Sequence, residues 1–234
     1  MATLAIFGAG PALGLSAAKR FAREHYTVHL VGRNEATLAK LTEQLEADGA
    51  TVDHTIADLS DPMQVRAAAH RIESLSGTPD VVLYSPGDVS RLPVDARSLD
   101  AATLQTWLPL NLLSPIELAH TLIPAMIQRG SGAFIVAQGA AVRAVQPALA
   151  SSSVAQAGLL NYLHALSRDV AVHGIYIASL QIGQLIERSA AAELFDNGHF
   201  NDVEPDDIPR IDPDQLAQQL WMITQTGDTV EYQS

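Results

Sequence analysis

Thr3-Leu4-Ala5-Ile6-Phe7-Gly8-Ala9-Gly10-Pro11-Ala12-Leu13-Gly14 is the stretch that decides the fold. An uncharged run enters a turn with three glycines, and an amphipathic segment follows with Leu15, Ala18, Phe21 and Ala22 on one face. The short apolar run predicts a buried strand over 3–7, and the helical spacing after it predicts a helix over 12–25. Gly8 permits a tight turn off the strand, Gly10 lets main chain approach a pyrophosphate, and Gly14 lets the helix pack close to the sheet. The helix tip offers free N–H groups and a partial positive charge to phosphate. Glycines occur in turns everywhere; this string gains weight from standing between the first strand and first helix of a βαβ unit. Gly8, Gly10, Pro11, Leu13 and Gly14 are therefore expected to cradle a dinucleotide.

Working outward, apolar runs predict further strands over 27–31, 51–56, 80–84, 133–138 and 175–180, with an edge strand over 229–232. Between them lie helical patterns. Asn34 caps one that runs to about Asp48. Asp61-Pro62 opens the next with a capping carboxylate and a proline in the first turn. A long pattern covers 101–129, where Pro109, Pro115 and Pro124 are expected to kink or break it. Others cover 153–173 and the segment opened by Asp212-Pro213. Strands alternating with helices predict an α/β chain, and continuously apolar strands fit burial on both faces. The expected fold is a Rossmann-type doubly wound parallel sheet of about seven strands with helices on both faces, in a single domain spanning 1–234.

Bulk composition narrows the function. Of 234 residues, 47% are hydrophobic and 17% charged, which suits a packed core rather than disorder. Fourteen basic against 26 acidic residues give a formal charge of −12, so nucleic acid and anionic membranes are not expected partners. The chain has no cysteine, which excludes disulfides and thiolate chemistry. The eight histidines (His25, His29, His54, His70, His120, His164, His173 and His199) have no metal-ligand spacing, and no metal is expected. No signal peptide or membrane-spanning run is evident, and a cytoplasmic location is the expectation.

The cofactor choice turns on Val31-Gly32-Arg33-Asn34. Roughly 20 residues past the glycines, an acidic side chain would bind the ribose hydroxyls of NAD. Here Arg33 stands instead, and a guanidinium suits the 2′-phosphate of NADP. NADP(H) is favoured over NAD(H), with Arg33 and Asn34 beside it. The bland reading of Arg33 is a surface residue at a helix start.

With these motifs in place the chain resembles the short-chain dehydrogenase/reductase family over nearly its whole length. The family glycine motif T-G-x-x-x-G-x-G is met by Phe7-Gly8-Ala9-Gly10-Pro11-Ala12-Leu13-Gly14, with Ala12 at the middle family glycine and an extra Gly10. Ala57-Asp58-Leu59 matches the acidic residue and aliphatic neighbour that hold adenine. Tyr84-Ser85-Pro86-Gly87 stands at the family's N-N-A-G, keeping only Gly87. Asn111 aligns with the structural Asn, Gln156-Ala157-Gly158-Leu159 with K-A-G-L, and Ile182-Gly183 with P-G. The resemblance implies cofactor contacts from Asp58, Leu59, Ser85, Pro86, Gly87 and Gly183. It also implies a homodimer or homotetramer through the two long central helices, and a divergent branch reading G-A-G-P and Y-S-P.

The chemistry-bearing half departs from the family. Hydride transfer to a carbonyl leaves an oxyanion that needs a proton. The family supplies it from a Tyr whose pKa is lowered by a Lys four residues later, with a Ser orienting the substrate oxygen. Those positions hold Ser152, Gln156 and Gly139, and the two lysines, Lys19 and Lys40, lie on early helices. Ser152 without a base is a poor acid, and Gln156 carries no charge, although it can hydrogen-bond a ribose. The plain reading of Ser151–Ser153 is a helix N-cap with small packing residues. Tyr84, at the C-terminal end of the fourth strand, is a substitute proton donor, and water held by Asn111 another. The first expectation is an NADP(H)-dependent oxidoreductase moving hydride between cofactor and a small carbonyl or alcohol, with non-standard or absent catalytic residues. The alternative is a non-catalytic NAD(P)-binding regulatory or sensor protein. A structural oligomer that binds no nucleotide is the third reading.

Overall fold

The computed structural model describes residues 1–198 and 208–234. His199 and the acidic residues Asp202, Glu204, Asp206 and Asp207 lie outside the described residues. The apolar runs become β1 (Thr3–Phe7), β2 (Thr27–Gly32), β3 (Val52–Ile56), β4 (Val81–Tyr84), β5 (Gly132–Gly139), β6 (Ile175–Ile182) and β9 (Glu231–Gln233). They form one seven-stranded parallel sheet in the order β3-β2-β1-β4-β5-β6-β9. Helices α1 (Leu13–Ala22), α2 (Glu35–Ala47) and α8 (Pro213–Thr226) pack on one face; α3 (Pro62–Ser76), α5 (Ser114–Arg129) and α6 (Ala150–Val170) pack on the other.

Strand β1 shows why its run must be apolar throughout. Leu4 and Ile6 join the core under α1, α2 and α8, while Ala5 and Phe7 join the opposite core, and all four are fully buried. Helix starts follow the capping residues: the Asn34 side chain accepts from the Thr37 N–H at 2.9 Å, and Asp61 accepts from Met63 at 2.9 Å.

The prolines behave unequally. The expected long helix divides into α4 (Ala101–Leu108) and α5, joined by a π turn over Pro109–Leu113. Pro109 has no N–H to continue the ladder, and the turn widens there. Pro115 sits in the first turn of α5. Pro124 lies inside α5, yet the helix runs through it, so the expected break at that position is absent. An interior proline costs about 3 kcal/mol. Burial of Leu118, Leu122 and Met126 under the sheet offsets this, at roughly 1.5–3 kcal/mol per side chain. The stretch Ala101–Arg129 is also long and apolar enough by composition to cross a bilayer. Here its apolar residues from Leu118 to Met126 pack into the core beneath the sheet.

Two features differ from expectation. Helix α6 begins at Ala150, not 153, and Leu149 precedes it without a side-chain cap, so the Ser151–Ser153 run lies inside the first turn rather than capping it. Helix α7 (Ala190–Asp196) and a small parallel pair, β7 (Leu185–Ile186) with β8 (Arg210–Ile211), lie between β6 and α8, where no element was expected. Strand β9 is the expected edge strand, placed at Glu231–Gln233 and paired with β6 over Ser179–Gln181.

Candidate active site

The strand order reverses direction between β1 and β4, which opens a crevice at the C-terminal ends of the strands. Register places its parts. Phe7 is level with Val31 on one side and Tyr84 on the other, so the turn after Phe7 lies between Arg33 and Ser85–Gly87. Gly8 and Ala9 both donate to the Val31 carbonyl at 2.9 Å. Gly8 has φ +102°, and a Cβ there would stand 2.5 Å from the Pro86 nitrogen. A Cβ on Gly14 would stand 2.9 Å from Ala9 Cα, while one on Gly10 meets no protein atom within 4 Å. The first turn of α1 has no side-chain cap and no acidic residue. Its tip faces a cavity of about 300 Å³.

Gly8, Gly10, Pro11, Leu13, Gly14, Arg33, Asn34, Asp58, Leu59, Ser85, Pro86 and Gly87 all line this cavity. Gly183 lines neither it nor the cavity beside it, although Ile182 and Gln184 line the second. Asn34 spends its side chain on the helix cap. The Asp58 carboxylate accepts from the Ser60 N–H and hydroxyl at 2.9 and 2.8 Å. Arg33 reaches over the cavity to Asp88, with Nη2 3.2 Å from Oδ1. Burial works against ionisation of Asp88, but hydrogen bonds from Ser90 and the Arg33 guanidinium outweigh it and hold the carboxyl below its ordinary range.

A second cavity of about 330 Å³ adjoins the first and shares Leu13, Ser85, Pro86, Gly87 and Leu110 with it. Among the described residues, no Asp, Glu, Lys, Arg or His lines it. Its polar wall is made of carboxamides. Gln156 Nε2 donates to Asn111 Oδ1 at 3.2 Å, and Asn111 Nδ2 donates to the Trp107 carbonyl at 3.0 Å. Asn111 sits in the π turn, which carries its side chain toward α6. Gln138 donates to Ser179 at 3.0 Å. The Gln138 and Gln184 side-chain oxygens and the Ser85 hydroxyl are buried in this wall without a protein partner. Such atoms mark a place where a ligand or water completes the bonding.

Tyr84, the expected substitute donor, lines the second cavity. Tyr84 is 2% exposed, and its hydroxyl donates to the Leu110 carbonyl at 2.6 Å. Burial pushes its phenol far above the ordinary range. For Tyr84 to serve as a proton source, that main-chain bond would have to break. Ser152 lines neither cavity; its hydroxyl turns back to the Leu149 carbonyl at 3.1 Å. Sequence reasoning read Ser151 only as part of a helix cap with small packing residues, whereas it is fully buried and accepts from the Val94 N–H at 2.9 Å, tying the loop after β4 to α6. It passed over Gln138, whose signal was available: a polar side chain inside an otherwise apolar strand.

A family model described as short chain dehydrogenase matches residues 2–194. The chain belongs to this family. Among curated relatives, this short-chain dehydrogenase is 26% identical to the ketoacyl reductase HetN of Nostoc over 176 residues, covering 75% of this chain and 61% of that one. It is 29% identical to a galactitol 2-dehydrogenase of Cereibacter sphaeroides, covering 78% of this chain and 70% of that one. The chain thus spans about three fifths of the length of the Nostoc relative. Its fold also matches the NADPH-bound structure of a Pseudomonas aeruginosa short-chain oxidoreductase with an atypical catalytic center. That match has 18% identity and TM-score 0.82, over 99% of this chain and 95% of that one.

Proposed function

We propose that this short-chain dehydrogenase is an NADP(H)-dependent oxidoreductase acting on a small, uncharged carbonyl or alcohol without a side-chain acid. The observation that carries the reading is the uncapped tip of α1 over a glycine cradle, opening into a cavity that continues to the carboxamide wall. The residues fit a nicotinamide dinucleotide. Gly8–Gly14 main chain and the helix tip suit a diphosphate, Asp58 and Leu59 suit the adenine end, and Arg33 suits a 2′-phosphate. Bound there, the nicotinamide supplies or accepts the hydride.

The chain's own residues orient and polarise. A carboxamide NH2 carries two hydrogens, and Gln156 spends one on Asn111, leaving the second for a ligand oxygen. Asn111 is itself anchored on Trp107, so Gln156 is held rather than free. A neutral amide stabilises a developing oxyanion by its dipole but does not yield a proton; that proton comes from water reaching the wall. The absence of charged lining side chains among the described residues supports an uncharged substrate. A homodimer or homotetramer through α5 and α6 belongs to the same reading, supported by exposed Ala157 and Gly158 on α6.

A second reading, a non-turning NAD(P)-binding sensor, draws support from Gly139, Ser152 and Gln156 standing where the family's reacting groups belong. Calorimetric titration with NADPH and NADH, followed by turnover assays on ketones and secondary alcohols, separates them. Tight NADPH binding with turnover is the expected result. Binding without turnover selects the sensor, and no binding of either nucleotide at millimolar concentration removes both readings.

A further inference from the structure

Arg33 already has an anion. It follows β2 and Asp88 follows β4, and these strands flank β1, so the Arg33–Asp88 pair spans the C-terminal end of β1 and the glycine-rich turn that leaves it. Both residues line the first cavity. The two ends of the pair differ in freedom. The Asp88 side chain is 11% exposed, accepts from the Ser90 N–H at 3.0 Å and the Ser90 hydroxyl at 2.6 Å, and has Arg91 Nε 3.6 Å away. Arg33 is 58% exposed and is the movable end.

We propose that Asp88 is a specificity-determining residue: it is the resident counter-ion of Arg33 and competes with a ribose 2′-phosphate for the guanidinium. This rests on the NADP(H) reading above. A phosphate brings more charge and bidentate geometry, and it draws Arg33 away from the fixed carboxylate. A 2′-hydroxyl brings neither, so with NADH the pair stays closed. Asp88 thereby weakens NADPH binding, spares NADH, and narrows the preference that Arg33 creates.

Calorimetric titration of the full chain tests this as a double-mutant cycle with NADPH and NADH as probes. Asp88→Asn keeps the shape and the Ser90 contacts while removing the charge. It should tighten NADPH by about two- to fivefold, the size of an exposed ion pair, and leave NADH within about twofold. Arg33→Ala should weaken NADPH by about tenfold or more, with little change for NADH. In the Arg33→Ala background, Asp88→Asn should no longer affect NADPH. The proposal is overturned if Asp88→Asn weakens NADPH, which would make Asp88 a positioning partner. It is equally overturned if both nucleotides gain alike, or if the gain persists without Arg33, since either outcome reports only general charge. Wild-type protein that binds neither nucleotide would remove the cofactor reading itself, whereas nucleotide binding with an unresponsive Asp88 removes this proposal alone.

Discussion

Gly8 and Gly10 are two residues apart in one turn, and alanine should act on them in opposite ways. At Gly8 the main chain has φ +102°, a region that costs an L-residue about 1–3 kcal/mol. The added Cβ would lie 2.5 Å from the Pro86 nitrogen and 2.6 Å from its Cα. That is roughly 1 Å short of carbon contact distance, and the neighbour is main chain, which no rotamer change can move aside. Overpacking of this kind costs about 1–3 kcal/mol. Gly8→Ala should therefore lose about 2–6 kcal/mol, a fall in melting temperature of roughly 5–20 °C for a chain of this length. Gly10→Ala meets no protein atom within 4 Å. Its melting temperature should hold or rise slightly, because alanine has fewer unfolded conformations than glycine. Its NADPH and NADH affinities should both fall by about tenfold or more, since the methyl stands where a diphosphate approaches. Thermal melts and calorimetry on the two variants read this directly. An unchanged melting temperature for Gly8→Ala would refute the steric argument, and unchanged affinities for Gly10→Ala would remove the turn from the phosphate site.

Two further substitutions separate support from chemistry. Tyr84→Phe should leave any turnover unchanged while lowering stability by about 1–3 kcal/mol in urea unfolding, because the Leu110 carbonyl loses its donor in the core; a large loss of kcat at intact stability would restore Tyr84 as a proton source. Glu231 on β9 accepts from Arg143 Nε at 2.9 Å, Gln181 at 2.7 Å and His164 at 2.7 Å, and these bonds, Arg143 first, hold its carboxyl at about 2 against an ordinary 4.5. A depressed folded pKa stabilises above the unfolded value, and that contribution drains away as pH falls from 4.5 toward 2. Glu231→Gln should cost about 1–2 kcal/mol at pH 7, allowing for solvent screening, and should flatten the stability profile across that acid interval; a profile as steep as wild type would exclude Glu231 as its source.

Much of the architecture was legible because it depends on local pattern. A run such as 3–7, apolar at nearly every position, suits a strand covered on both faces, and Gly8–Gly14 announces its turn through residues adjacent in the chain. The caps at Asn34 and Asp61 are equally local. That α5 runs through Pro124 without a break was not legible, because an intrinsic helix-breaking cost is set against burial of α5, which no local window contains.

The candidate site divides along the same line. The amino-acid sequence by itself determined the doubly wound sheet, the glycine-rich turn between its first strand and first helix, and the place of Arg33 just after the second strand. Only the tertiary structure decided that the Tyr84 hydroxyl is sealed against Leu110, that Gln156 couples to Asn111, and that Arg33 is paired with Asp88. These partners are 26, 45 and 55 residues apart in the chain. A side chain's direction and charge partner depend on which strands lie side by side, and that follows from burying both sheet faces at once rather than from any neighbour in sequence.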